Sequence, residues 1–192
     1  MMGVPQAVQN LSLCWAFRGY QQQVTDCIAS TTEKEFYLKD DEQNHTVVII
    51  TSASDDGKVC KVSNPSGREA VVLAIDHKLI DNREGGIADG AVFNLSDFHF
   101  VEFKTNAICQ SDAGVEETYV KAMQQLISTV DLFKEVLAKA HVDFTSKVQV
   151  ECHIIVSDIF PRNNASEMTK ALLFADKTGG LPLSFDNEIE LN

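Results

Sequence analysis

The chain has 192 residues, 44% of them apolar, with a formal net charge of −12 and an isoelectric point near 4.7. That length can bury one sizeable core, and in the absence of a Pro/Gly/Ser-rich linker residues 1–192 are expected to form a single domain. The acidic balance argues against a free-standing, tight binder of DNA or RNA, because Lys and Arg must neutralise phosphates. No run approaches eighteen apolar residues, which argues against a transmembrane helix.

Residues 4–30 are mixed in character and suit one or two helical turns. Residues 46–51 are β-branched throughout, which predicts a strand buried on both faces. Ser54, Asp55, Asp56, Gly57 and Lys58 make a turn signal, and residues 58–62 are predicted to pair back as a hairpin. Asn64, Pro65, Ser66 and Gly67 mark another turn before an apolar strand over 69–75. A polar connection with Gly85 and Gly86 leads to two strands, 87–93 and 99–104, joined by the turn-forming segment 94–98. Residues 115–140 carry the clearest helix. Tyr119, Ala122, Leu126, Val130, Phe133, Leu137 and Ala140 repeat at intervals of three and four, with Glu116 and Glu117 favoured in the first turn by the helix dipole. A strand over 147–156 follows, and the crossover preference makes it a parallel neighbour or near neighbour of 99–104. A second helix is predicted over 165–176, capped by Asn163 or Asn164 and ended by Gly179 and Gly180, with a last short strand within 182–191. The fold class is therefore α/β, a central mixed β-sheet flanked by helices.

Five widely spaced cysteines, Cys14, Cys27, Cys60, Cys109 and Cys152, include no Cys-x-x-Cys pair and read as reduced and structural. With no basic leader before the apolar run 11–17, the expected location is cytoplasmic. His45, His77, His99, His141 and His153 show no His-x-x-x-His or His-Glu-x-x-His spacing, so zinc hydrolase chemistry gains no support. No phosphate loop, nucleophile elbow or dinucleotide fingerprint occurs either, which removes ATPase, serine hydrolase and dinucleotide readings.

The stretch that carries chemistry is Asp89, just before Gly90, and then Glu102-Phe103-Lys104. Side chains alternate along a strand, so Phe100, Glu102 and Lys104 share one face while Val101 and Phe103 anchor the other. Two carboxylates on neighbouring strands can share a divalent cation, which polarises a phosphoryl oxygen and acidifies water, while the lysine offsets charge in the transition state. Asp89 also suits a turn-capping acid, and Glu102 with Lys104 also suits a solvated strand face.

This constellation resembles the PD-(D/E)XK nuclease superfamily, in which an acid is followed at variable distance by Asp or Glu, any residue, and Lys. Ala88 stands where that superfamily has its eponymous proline. Ala122-Met123-Gln124-Gln125-Leu126 resembles the Ala-x-x-Gln-Leu element on the following helix, and residues 154–161 resemble the apolar strand and proline turn that close the core. The likeness spans roughly residues 70–165. It implies a restriction-endonuclease-like core (helix, three strands, helix, strand) and a Mg2+- or Mn2+-dependent nuclease. It also implies Asp89, Glu102 and the Phe103 carbonyl as metal ligands, Lys104 as charge stabiliser, and Gln125 orienting water or Lys104. A further acid often completes such sites; Glu33 is preferred over Glu35, and Asp81 is an alternative first acid. Two functions follow: phosphodiester hydrolysis of nucleic acid, or an inactive nuclease-like scaffold that binds a protein partner or serves as an immunity-type module. A basic rim from Lys104, Lys121, Lys170 and Arg162 would favour nucleic acid, and an acidic rim a protein.

Overall fold

A computed structural model describes residues 3–53, 57–81, 84–107 and 111–192. Ser54, Asp55 and Asp56 of the predicted turn, Asn82 and Arg83 of the polar connection, and Cys109 lie outside the described residues. Two short helices, α1 (Gln6–Asn10) and α2 (Leu13–Ala16), occupy the mixed segment. Strand β1 (Ile28–Thr31) follows, then β2 (Glu35–Asp41), β3 (Thr46–Ile50), β4 (Val59–Ser63), β5 (Ala70–Ala74), β6 (Gly90–Phe93) and β7 (Asp97–Lys104). The long helix α3 (Asp112–Lys139) and one-turn α4 (Phe144–Lys147) lead to β8 (Gln149–Val156), α5 (Asn164–Thr178), β9 (Leu183–Ser184) and β10 (Glu188–Glu190).

Among the described residues the protein is α/β, built on a mixed six-stranded sheet in the order β1-β5-β6-β7-β8-β9. Neighbours from β1 to β7 run antiparallel, whereas β7, β8 and β9 are parallel. The predicted parallel relation across α3 holds with full register, from Asp97 opposite Gln149 to Lys104 opposite Val156. A second sheet in the order β10-β4-β2-β3 covers the other face.

Alternation explains the two layers. Phe98 and Phe100 of β7 join the core under the helices, and Val101 and Phe103 join the core under the second sheet. The α3 stripe behaves as its period requires: Tyr119, Ala122, Leu126, Val130, Phe133 and Leu137 are fully buried. Ser111 caps that helix by accepting from the Gly114 N–H at 3.2 Å, so its first turn carries Asp112 instead of Glu116 and Glu117. Asn163 caps α5 through the Ser166 N–H, and Gly179 ends it in the left-handed conformation.

Three expectations are corrected. β3 is an edge strand and mostly half-buried, not buried on both faces. β4 pairs with β2, not with β3, because the charged segment Glu35–Asp41 inserts between them. The last strand is two strands: β9 extends the main sheet and β10 adds to β4.

Backbones of β5 and β6 approach closely at Gly90, where a Cβ would lie 2.7 Å from the Leu73 carbonyl oxygen and 2.9 Å from Val47 Cγ2. Gly90→Ala is expected to cost about 1–3 kcal/mol, the range for an overpacked core, read as a lower urea midpoint. A neutral substitution would mean that the two sheets can part at this point.

Candidate functional site

Glu102 and Lys104 lie on the helix-facing side of β7, and Asp89 stands one residue before β6. Antiparallel pairing sets Gly90 opposite Val101, which brings Asp89 beside Glu102 and Phe103. The Asp89 N–H donates to Glu102 Oε2 at 3.2 Å, and the Phe103 N–H donates to Asp89 Oδ2 at 2.6 Å. Lys104 Nζ donates to Glu102 Oε1 and, at 2.9 Å, to Gln125 Oε1 on α3. Asp89, Glu102, Lys104 and Gln125 thus form one connected group.

Helix α3 also holds the loop that carries Asp89. Gln125 Nε2 donates to the Ile87 carbonyl at 3.1 Å, the Ala88 N–H donates to Thr129 Oγ1 at 2.8 Å, and Ser128 Oγ donates to the Glu84 carbonyl at 3.4 Å. Gly86, at φ 79°, leaves room for Gln125: a Cβ there would lie 2.7 Å from Gln125 Cγ. Gln125 therefore positions both Lys104 and the backbone ahead of Asp89.

The electrostatics is that of buried acids. Burial pushes the Asp89 carboxyl up to about 7; Asp40 and Asp76 add to the effect, while the Phe103 N–H and Lys104 oppose it. Glu102 is fully buried, and burial together with Asp89 raises it well above the ordinary carboxylate range against the opposing Lys104. Asp40 and Asp76, both half-buried, are raised by burial as well. A cleft of about 320 Å³ opens beside Asp89, lined by Asp40, Glu42, His45, Thr46, Asp76 and His77. His45 and His77 have φ of 48° and 57°, a left-handed conformation that costs roughly 1–3 kcal/mol for such residues and clusters at functional sites. Their rings lie 4.9 Å apart.

Other sequence candidates are placed elsewhere. Glu33 is exposed on the β1–β2 connection, where its N–H bonds Thr31 Oγ1, and does not line the cleft. Glu35 pairs with Lys61 at 3.0 Å at the start of β2. Asp40, near the far end of β2 and about 16 Å along the strand from Glu35, is the β2 acid that lines the cleft beside Asp89. Asp81 pairs with His77 at 3.6 Å, outside the acid pair. The basic rim that would favour nucleic acid does not converge on the cleft. Lys121 pairs with Glu117 at 2.9 Å, Lys170 with Glu116, and Arg162 with both oxygens of Glu167. Lys39 and Lys58 instead line a groove of about 460 Å³ that shares Asp40 and Glu42 with the cleft.

Sequence reasoning missed Asp40 and Asp76, and also a compact group of His99, Glu151 and His153 on the opposite face of the main sheet. The signal for that group was present as Glu-x-His, the spacing that places two ligands on one strand face. Among the described residues no helix is long and apolar enough to cross a membrane. Cys14, Cys27, Cys60 and Cys152 are free thiols. No family model, curated protein or solved structure matches the chain.

Proposed function

We propose that this protein is a divalent-metal-dependent phosphodiester hydrolase of the nuclease type, with Asp89, Glu102, Lys104 and Gln125 as its site. The observation that carries the reading is the single hydrogen-bonded group formed by two buried carboxylates, a lysine and a glutamine. The order β5-β6-β7-α3-β8 supports a restriction-endonuclease-like core of three strands, helix and strand, with α1 and α2 ahead of it.

The donors suit a hard cation. Asp89 and Glu102 offer carboxylate oxygens, and the N–H and C=O of a strand residue face the same edge, so the Phe103 carbonyl lies toward Asp89. Magnesium or manganese bound there would polarise a phosphoryl oxygen and acidify water. Lys104 would hold its ammonium toward the cleft to offset charge that develops on phosphate, and Gln125 fixes where that ammonium sits. Glu102 also accepts from Lys104 and so holds the same ammonium from a second side.

The acidic mouth formed by Asp40, Glu42 and Asp76 favours a second reading, a scaffold that binds a protein partner without cleaving. Cleavage assays on single- and double-stranded DNA and RNA with Mg2+ or Mn2+ separate the two. Turnover that falls by about 10²–10³ in Lys104→Met, with manganese still bound, is the expected result. Metal binding without turnover on any of these substrates would shift the assignment to the scaffold.

A further inference from the structure

The second group of interest lies on the opposite face of β7 from Glu102 and Lys104, about 10 Å along the strand. β7 and β8 are parallel with His99 opposite Glu151 and Val101 opposite His153. Residues 99, 151 and 153 therefore share the face that turns toward the second sheet. Both histidine side chains are 5% exposed, whereas the Glu151 side chain is 28% exposed and opens the group to solvent.

His99 Nδ1 and His153 Nε2 are 3.0 Å apart, and Glu151 Oε2 lies 3.8 Å from the first and 4.0 Å from the second. The carboxylate is too far away to accept a hydrogen bond from either ring. In a neutral pair only one of the two facing nitrogens can carry a proton, so the group has one hydrogen bond for three converging polar atoms. The outer nitrogens, His99 Nε2 and His153 Nδ1, have no partner among the described residues.

The same separations suit an ion. A point equidistant from three atoms so spaced lies about 2.1 Å from each, the length of a zinc bond to imidazole or carboxylate. The ring centroids are 5.1 Å apart while the facing nitrogens are 3.0 Å apart, so each ring presents one nitrogen to the gap between them, and a small rotation of each would aim both at that point. We propose that His99, Glu151 and His153 form a binding site for a borderline divalent transition-metal ion of the zinc type, separate from the hard-cation site at Asp89 and Glu102. Two imidazoles select such an ion over magnesium or manganese. Burial lowers both histidines, His153 to about 3, which keeps them in the neutral form that ligation needs. The ion would tie β7 to β8 and keep a coordination position open on the side of Glu151.

Zinc titration by calorimetry on the full chain, with millimolar magnesium present to occupy the Asp89 site, tests the assignment. One zinc per chain is expected for the native protein and for Glu102→Gln, with affinity at least about tenfold weaker in Glu151→Gln, whose half-exposed position spares the fold. No saturable binding up to millimolar zinc overturns the site, as does binding lost in Glu102→Gln and kept in Glu151→Gln. X-ray absorption at the zinc edge gives a second readout, taken on His77→Ala so that the pair of histidines in the cleft cannot supply both imidazoles. Two imidazoles in the shell support the site, and an all-oxygen shell overturns it.

Discussion

Asp89→Asn is expected to stabilise the metal-free protein at about pH 8 and to abolish the affinity for magnesium and manganese proposed for this site. The sign follows from linkage: a carboxyl near 4 when unfolded and near 7 when folded binds more protons in the folded state between those values. Stability then falls as pH rises through that window, and above it the folded protein carries the full cost of a buried charge. A displacement of that size corresponds to on the order of 4 kcal/mol. Asparagine has no proton to lose, and its amide oxygen can still accept from the Phe103 N–H, so the hydrogen bond survives while the penalty disappears. Removing that charge also eases the raised Glu102 beside it. Thermal melts across pH 4 to 8, with and without metal, read the effect. The variant should match the native protein near pH 4, exceed it near pH 8, and gain nothing from manganese. A variant less stable near pH 8, with the native pH dependence intact, would sink the electrostatic account of this site.

Phe133→Ala acts by packing alone. Its ring is fully buried where α3 crosses the main sheet, within 4.8 to 6.3 Å of the rings of Phe17, Phe98, Phe100 and Phe144. Truncation removes the transfer energy of the ring and leaves a cavity among four remaining aromatic rings. The expected loss is about 3–5 kcal/mol, a large share of the 5–15 kcal/mol by which most domains are stable. Urea unfolding should show it, while manganese affinity stays near native because Gln125 lies two turns, about 12 Å, along the helix. A loss below about 1 kcal/mol would mean that this layer is not close-packed.

What could be read from the residues was what depends on local period. The α3 stripe follows from intervals of three and four, and the Asp89, Glu102 and Lys104 group follows from alternation along β7 and one short connection. What could not be read depends on pairing over distance. Asp40 reaches the cleft only because β2 inserts between β3 and β4, and nothing in residues 35–41 announces that neighbour. His99 meets Glu151 only because α3 returns the chain in parallel register. Glu102 reads as an exposed cleft acid from its charge, yet it is fully buried because helices and a second sheet cover both faces of β7. An exposed acid would have left stability unaffected on substitution. A buried one joins stability to the proposed metal site.

Strand β7 carries two alternating sets of residues, each matched to a different layer. Substitution at any one position is a local event, but length is not negotiable. Deleting a single residue between Phe98 and Phe103 would exchange the two faces, turning carboxylate and ammonium toward the second sheet and phenylalanine toward the cleft. In an evolving lineage this strand therefore admits exchange of like for like within each face while remaining closed to insertion and deletion.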